Sequence, residues 1–215
     1  MCGRYVSPEV AEIERALGIV RSPGLTFPRR FNVAPTTVVP VVRRGRELAP
    51  ARWGFIPYWW SKPKPPASCF NARAEEVASK PMWRDAYRES RCLVPAEGWY
   101  EWQALAGSKQ PHYVYRRDRA LMCLAGLLSQ WRERGKEPIY TCAILTRPAS
   151  SALSAIHERM PLVLPPEALE GWLDASLDAD EVGPVELAHH PVSPRVNAAR
   201  EDDEKLTEPA AGQMR

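Results

Sequence analysis

The sequence contains no run of about eighteen apolar residues, so it predicts no membrane-spanning helix. No apolar segment follows its first residues, which already include Arg4 and Glu9, so it carries no signal-peptide pattern and reads as cytoplasmic. Cysteine is scarce: Cys2, Cys69, Cys92, Cys123 and Cys142 are odd in number and never fall at C-x-x-C spacing. That excludes a disulfide framework and a zinc ribbon, and implies reduced thiols with no metal. Cys123 and Cys142 lie within apolar runs and are expected to be inert core residues. A dominant charge is also missing. Lys and Arg number 29 against 26 Asp and Glu, a net charge of +3, so any nucleic-acid surface must be a local patch. No internal repeat appears.

What the chain does have is 215 residues, enough for one domain with a sizeable core, together with 22 prolines and eight tryptophans. The prolines imply many fixed loops. The tryptophans are available for the core or as base-stacking platforms.

Ser7-Pro8-Glu9 reads as a helix start, with Ser7 as N-cap, Val10, Ile13 and Leu17 on one face, and Gly18 as the stop. Strands are predicted over Thr36–Val42 and Leu48–Phe55 about an Arg43-Arg44-Gly45-Arg46 turn. Further strands are predicted over Arg91–Pro95, Gly98–Gln103, His112–Tyr115, Ala120–Trp131, Tyr140–Thr146 and Met160–Leu164. Short helices are expected near Met82–Arg88, Ser150–Ile156 and Pro166–Leu173. The order implies an α+β fold: one compact domain over residues 2–198 with a curved, mostly antiparallel β core and peripheral short helices. The polar, charged composition of residues 199–215 predicts a disordered tail.

The opening Met1-Cys2-Gly3-Arg4-Tyr5 carries the most pointed chemistry. With Met1 removed, Cys2 bears an α-amine and a thiol on adjacent carbons. The amine can condense with a carbonyl to a Schiff base, and the thiol can then close a five-membered thiazolidine on the same carbon. In Asn71-Ala72-Arg73, the asparagine offers a donor and an acceptor to a reacting group and the arginine a fork for phosphate.

In Gly98-Trp99-Tyr100-Glu101-Trp102-Gln103, strand alternation puts Trp99 and Glu101 on one face and Tyr100 and Trp102 on the other. A carboxylate among these aromatics suits proton transfer, and Glu97 is a competitor that spacing does not eliminate. His157 stands between a predicted helix and strand, where an imidazole can shuttle a proton. His189 and His190 resemble a metal pair, but adjacent strand residues point to opposite faces. Arg4, Arg52, Arg73 and Arg159 with Trp53, Trp59 and Trp60 supply the parts of a single-strand groove.

Taken in order, Met-Cys-Gly-Arg-Tyr, Phe31-Asn32-Val33-Ala34-Pro35, Trp53-Gly54-Phe55-Ile56-Pro57, Asn71-Ala72-Arg73-Ala74-Glu75 and Gly98-Trp99-Tyr100-Glu101-Trp102 form a set. His157-Glu158-Arg159-Met160-Pro161 and Pro191-Val192-Ser193-Pro194-Arg195-Val196-Asn197 complete it. The set closely resembles the SRAP family, the SOS-response-associated peptidase-like proteins, over residues 2–197. The resemblance implies a barrel-like α+β domain that cross-links itself to abasic sites in single-stranded DNA. It assigns Cys2 as nucleophile, Asn71 as the group that orients it, Glu101 rather than Glu97 as proton carrier, and His157 as an assistant to Schiff-base chemistry. Arg4, Trp53, Arg73 and Thr146 match positions near the DNA.

The resemblance further implies no cofactor, nucleoid association on damaged DNA, and abasic-site lyase and autopeptidase activities; a monomer suits a one-hit cross-linker. Tyr58-Trp59-Trp60 is aromatic beyond the family pattern. The competing readings are an N-terminal-nucleophile glutamine amidotransferase, a thiol peptidase built on Cys2, His157 and Asn71, and a non-enzymatic single-strand binding module.

Overall fold

The computed structural model describes residues 3–19, 24–62, 66, 69–133 and 135–210. Cys2 and residues 211–215 of the expected tail lie outside the described residues. Thirteen strands follow in chain order among those described. They are β1 (Arg4–Ser7), β2 (Arg30–Val33), β3 (Val38–Arg43), β4 (Glu47–Trp53), β5 (Asn71–Arg73), β6 (Arg91–Ala96) and β7 (Gly98–Leu105). After them come β8 (Ser108–Arg116), β9 (Met122–Trp131), β10 (Ile139–Pro148), β11 (Arg159–Pro161), β12 (Val163–Leu164) and β13 (Leu187–Pro191). The helices α1 (Val10–Leu17), α2 (Arg84–Glu89) and α3 (Leu169–Leu173) are short and peripheral.

The β-branched, alternating runs pair as the pattern predicts. Strands β4, β3, β6, β9 and β10 hydrogen-bond in succession, and β10 pairs with β4 again, closing a five-stranded barrel. Most pairings are antiparallel, but β10 runs parallel to β4 and then to β5. A second, wholly antiparallel sheet has the order β13-β8-β7-β1-β2. Side chains alternate along the barrel strands. One set (Val39, Val41, Trp53, Leu124, Ile144) packs with Tyr5, Trp99 and Val114 of the second sheet. The other (Val42, Leu93, Leu127, Leu145) packs beneath the helices with Ile13, Trp83 and Trp172. The domain is therefore helices, barrel, second sheet and, outermost, the carboxy-terminal segment.

Two of three local expectations give way. Ser7 is not an N-cap: it pairs with Arg30 across β1–β2, so the sheet claims it and α1 starts later, with Glu9 at the N-cap position and no side-chain cap. Gly18 does end α1, in the left-handed conformation. Ser150–Ile156 is a run of turns rather than a helix, tightened by hydrogen bonds from Leu153 N–H to Ser150 and from Ile156 N–H to Leu153.

Residues 199–210 are not a disordered tail. Leu206 is completely buried against Val6, Tyr100, Val192 and Val196, and Asp202 accepts the backbone N–H groups of Phe31 and Asn32. One apolar anchor and one well-placed carboxylate order a stretch whose average composition is that of a tail. No helix among the described residues is long and apolar enough to cross a membrane.

Candidate active site

The antiparallel register of β1 on β7 sets Arg4 beside Tyr100 and Tyr5 beside Trp99. One step further in that register, the described start of the chain, Gly3, reaches the level of Glu101. Tyr5 is held from behind by an edge-to-face contact with Trp53, whose indole N–H donates to the Phe70 carbonyl at 2.8 Å. Phe70 in turn sits edge-on to Trp53 and precedes Asn71. The first strand and the Asn71 strand are thus tied to one buried tryptophan. Trp53 is followed by Gly54, whose φ of 150° falls in the region that favours glycine and where a methyl group would crowd the Arg52 guanidinium.

Glu101 is 4% exposed, on the Trp99 face of β7. It shares a narrow cleft with Trp99, Val114, Leu153, Ile156, His157, Arg159 and Met160. The cleft measures about 10 Å³, room for one water-sized group. Glu97, by contrast, forms a two-pronged pair with Arg29, at 2.7 Å from Nε and 2.5 Å from a terminal guanidinium nitrogen, and stands apart from this cleft.

His157 arrives through the turns that precede β11. Its Nδ1 accepts the backbone N–H of Arg159 at 2.9 Å, which leaves the neutral ring with its proton on Nε2. The imidazole therefore enters the cleft as a donor. Arg159 is the hub of the site. It forks onto Glu75 at 2.6 and 2.9 Å, and also donates to the Thr146 carbonyl at 2.6 Å and hydroxyl at 3.2 Å. The bond to Arg159 holds the Glu75 carboxyl below its ordinary range. Thr146 donates its hydroxyl to the Ala72 carbonyl, and β5 lies parallel to β10 with Asn71 at Ile144 and Arg73 at Thr146. Asn71, Thr146, Arg159 and His157 are thus joined through one strand pairing and through the guanidinium and backbone N–H of Arg159.

The expected DNA contacts divide. Arg73 is exposed at the end of β5 and forms no ion pair among the described residues. Trp53 and Thr146 are completely buried and support the site from beneath, presenting no face to a base or phosphate. Arg4 points to the sheet face opposite Glu101, bonded to the Asn32 side chain and the Val196 carbonyl at 3.0 Å each, and burial lowers its pKa. Of the tryptophans, Trp59 is exposed beside an exposed Tyr58.

Burial pushes the thiols of Cys123 and Cys142 up to about 12 and that of Cys92 well above its usual value, so none of these is a nucleophile. His189 and His190 diverge as strand alternation predicts: His189 meets His112, and His190 donates from Nε2 to the Thr207 carbonyl, 2.8 Å away. The sequence reading passed over Glu75, Gln103 and His112. Only Glu75 had a signal, its place in the Asn71–Glu75 motif.

A cleft with a buried carboxylate and a donor imidazole, at the end of the strand that leads in from the amino terminus, is the candidate site of a barrel-like domain. The family model for SRAP, SOS response associated peptidase, matches residues 1–199, and the chain belongs to that family. It is 32% identical to the abasic site processing protein YedK of Escherichia coli over 97% of this chain and all of that one. It is 36% identical to the abasic site processing protein HMCES of Gallus gallus, over 73% of this chain and 56% of that protein. A crystal structure of a Bacteroides thetaiotaomicron protein shares the fold, with a TM-score of 0.88 over 98% of this chain and 100% of that one at 22% identity.

Proposed function

We propose that this protein processes abasic sites in single-stranded DNA by cross-linking itself to them through Cys2. The observation that carries the reading is the meeting of Glu101 and His157 in one cleft at the level to which β1 leads the start of the chain. Relatives named as abasic site processing proteins, spanning nearly the whole chain, support the same substrate.

An abasic deoxyribose is a cyclic hemiacetal, and ring opening exposes an aldehyde at C1′. Glu101 moves the proton that this opening requires. The α-amine of Cys2, freed by loss of Met1, adds to C1′. His157, as an Nε2–H donor, assists departure of the resulting hydroxyl as water, leaving a Schiff base. The thiol then adds to the imine carbon: one C–S bond forms, and the thiol proton ends on the ring nitrogen. Overall one water is lost, and a thiazolidine joins protein to DNA. Asn71 orients the amine and the sugar, and Arg73 takes a phosphate.

The donor state of His157 favours this chemistry over a thiol hydrolase, which needs a free imidazole lone pair as general base. Lyase and autopeptidase activities are secondary outcomes of the same nucleophile.

The test is a denaturing gel and intact mass measurement after incubation with single-stranded DNA bearing one abasic site. The expected product has the summed mass of DNA and Met1-free protein less one water, and is lost with Cys2→Ala and with intact DNA. If Met1-free protein gives no adduct, the proposal fails, and glutamine and peptide hydrolysis are assayed instead.

A further inference from the structure

Three strands bring together a polar chain that lies just behind the cleft. Gln103 is two residues beyond Glu101 on the same face of β7, and its side-chain Nε2 donates to the Ala155 carbonyl at 3.1 Å. Ala155 belongs to the turns that deliver His157, two residues on. A carbonyl only accepts, so the amide nitrogen must face Ala155, and Oε1 must face His112, 3.2 Å away at Nε2. His112 therefore donates from Nε2, and its Nδ1 is left to accept from His189 Nδ1, 3.3 Å away. Each donor thus has a fixed direction, His189 to His112 to Gln103 to Ala155. The register supplies the geometry: Glu101 faces His112 across β7–β8, and His189 faces Val114 across β8–β13.

We propose that Gln103 is a positioning residue, tying the turn that carries His157 to the strand that carries Glu101, with His112 and His189 fixing the direction of its amide. The inference rests on the cross-linking reading for its activity assay. Leu153 and Ile156 bury the turn's apolar side, but the Gln103 amide is the side-chain link from β7 to its backbone. Without it, the imidazole and carboxylate lose a fixed separation, and displacements near 1 Å cost reaction rate steeply.

The experiment is single-turnover adduct formation at varied concentrations of single-stranded DNA bearing one abasic site, using wild type, Gln103→Met, His157→Gln and the double variant. Gln103→Met is expected to lower the maximal rate about tenfold while the half-saturating DNA concentration stays within about twofold. In the His157→Gln background the same substitution should change nothing further, because Gln103 acts through His157. A full maximal rate in Gln103→Met, or an equal loss in both backgrounds, overturns the proposal. Gln103→Glu keeps an acceptor for His112 but cannot donate to Ala155, and should reproduce the loss if the Met variant does not fold.

Hydrogen exchange separates this inference from the functional one. If wild type forms no adduct, the cross-linking reading falls. Faster exchange of the His157 amide in Gln103→Met still supports the tie, and unchanged exchange refutes it.

Discussion

Gly98 opens the strand that carries Glu101, and a methyl group there would land on the ring of Tyr113, itself buried between Tyr100 and Tyr115. Gly98→Ala is therefore expected to destabilise the fold by about 1–3 kcal/mol, read as a lower urea midpoint with an unchanged slope. A midpoint equal to wild type would show that the tyrosine yields freely. His112 sets a pH dependence of its own. Burial first, and then the neighbouring His189 and His190, lower its pKa to about 4. In the unfolded chain it binds its proton near pH 6.5, so between those values the unfolded state holds more protons and stability falls as pH falls.

The His112 contribution is fully present above about pH 6.5 and is lost progressively toward pH 4, a fall of about 3 kcal/mol at most. Urea unfolding of wild type and His112→Gln across that window should converge as pH falls, and parallel curves would refute the assignment. At this scale the sequence disclosed Glu101, because alternation and aromatic neighbours describe a carboxylate on an apolar strand face. It did not separate Glu101 from Glu97, since the deciding partner, Arg29, arrives from a distant loop. The Gln103–His112–His189 chain was equally hidden, because it exists only in the register of β7, β8 and β13.

Among elements, those with strong local pattern were legible: the alternating strands that build the barrel, and α1 with its apolar stripe and Gly18 stop. Elements defined by a partner were not. The three-residue β5 takes its identity from β10, and β13 from β8. The 199–210 segment is the clearest case, and it bears on the site through β1. Val196 and Asn197 offer carbonyls to Arg4, while Asn32 donates to the carbonyls of Val196, Ala198 and Glu201. The strap of residues 199–210 itself reaches β1 where Leu206 packs with Val6, and reaches β2 through Glu201 and Asp202, on the face opposite Glu101. Leu206→Ala removes its completely buried anchor and is expected to cost about 2–4 kcal/mol. Proteolysis of the variant should cut first near residues 199–210. Thermal melts indistinguishable from wild type would mean that the strap contributes nothing to the domain.

Across the whole molecule, many of the arginines are paired with carboxylates. Arg29, Arg30, Arg43, Arg46, Arg116, Arg159 and Arg195 each have a carboxylate partner, and the net charge is only +3. Under the proposed function, exposed Arg73 would take a phosphate and exposed Trp59 and Tyr58 would offer flat apolar surfaces, a grip of few phosphates and some stacking. Such a protein needs little standing affinity if a covalent bond retains the lesion. Cys2→Ala should therefore bind single-stranded DNA with a shallow salt dependence. Two or three phosphates correspond to a log–log slope near −2, or a loss of about tenfold to twentyfold in affinity between 50 and 200 mM salt. Fluorescence anisotropy measures this directly. Once formed, the wild-type adduct should survive the same salt range without loss, because a thiazolidine has no counterions to recapture. A slope of about −5 or steeper would show that many more phosphates are held than this small grip can account for, and would refute it.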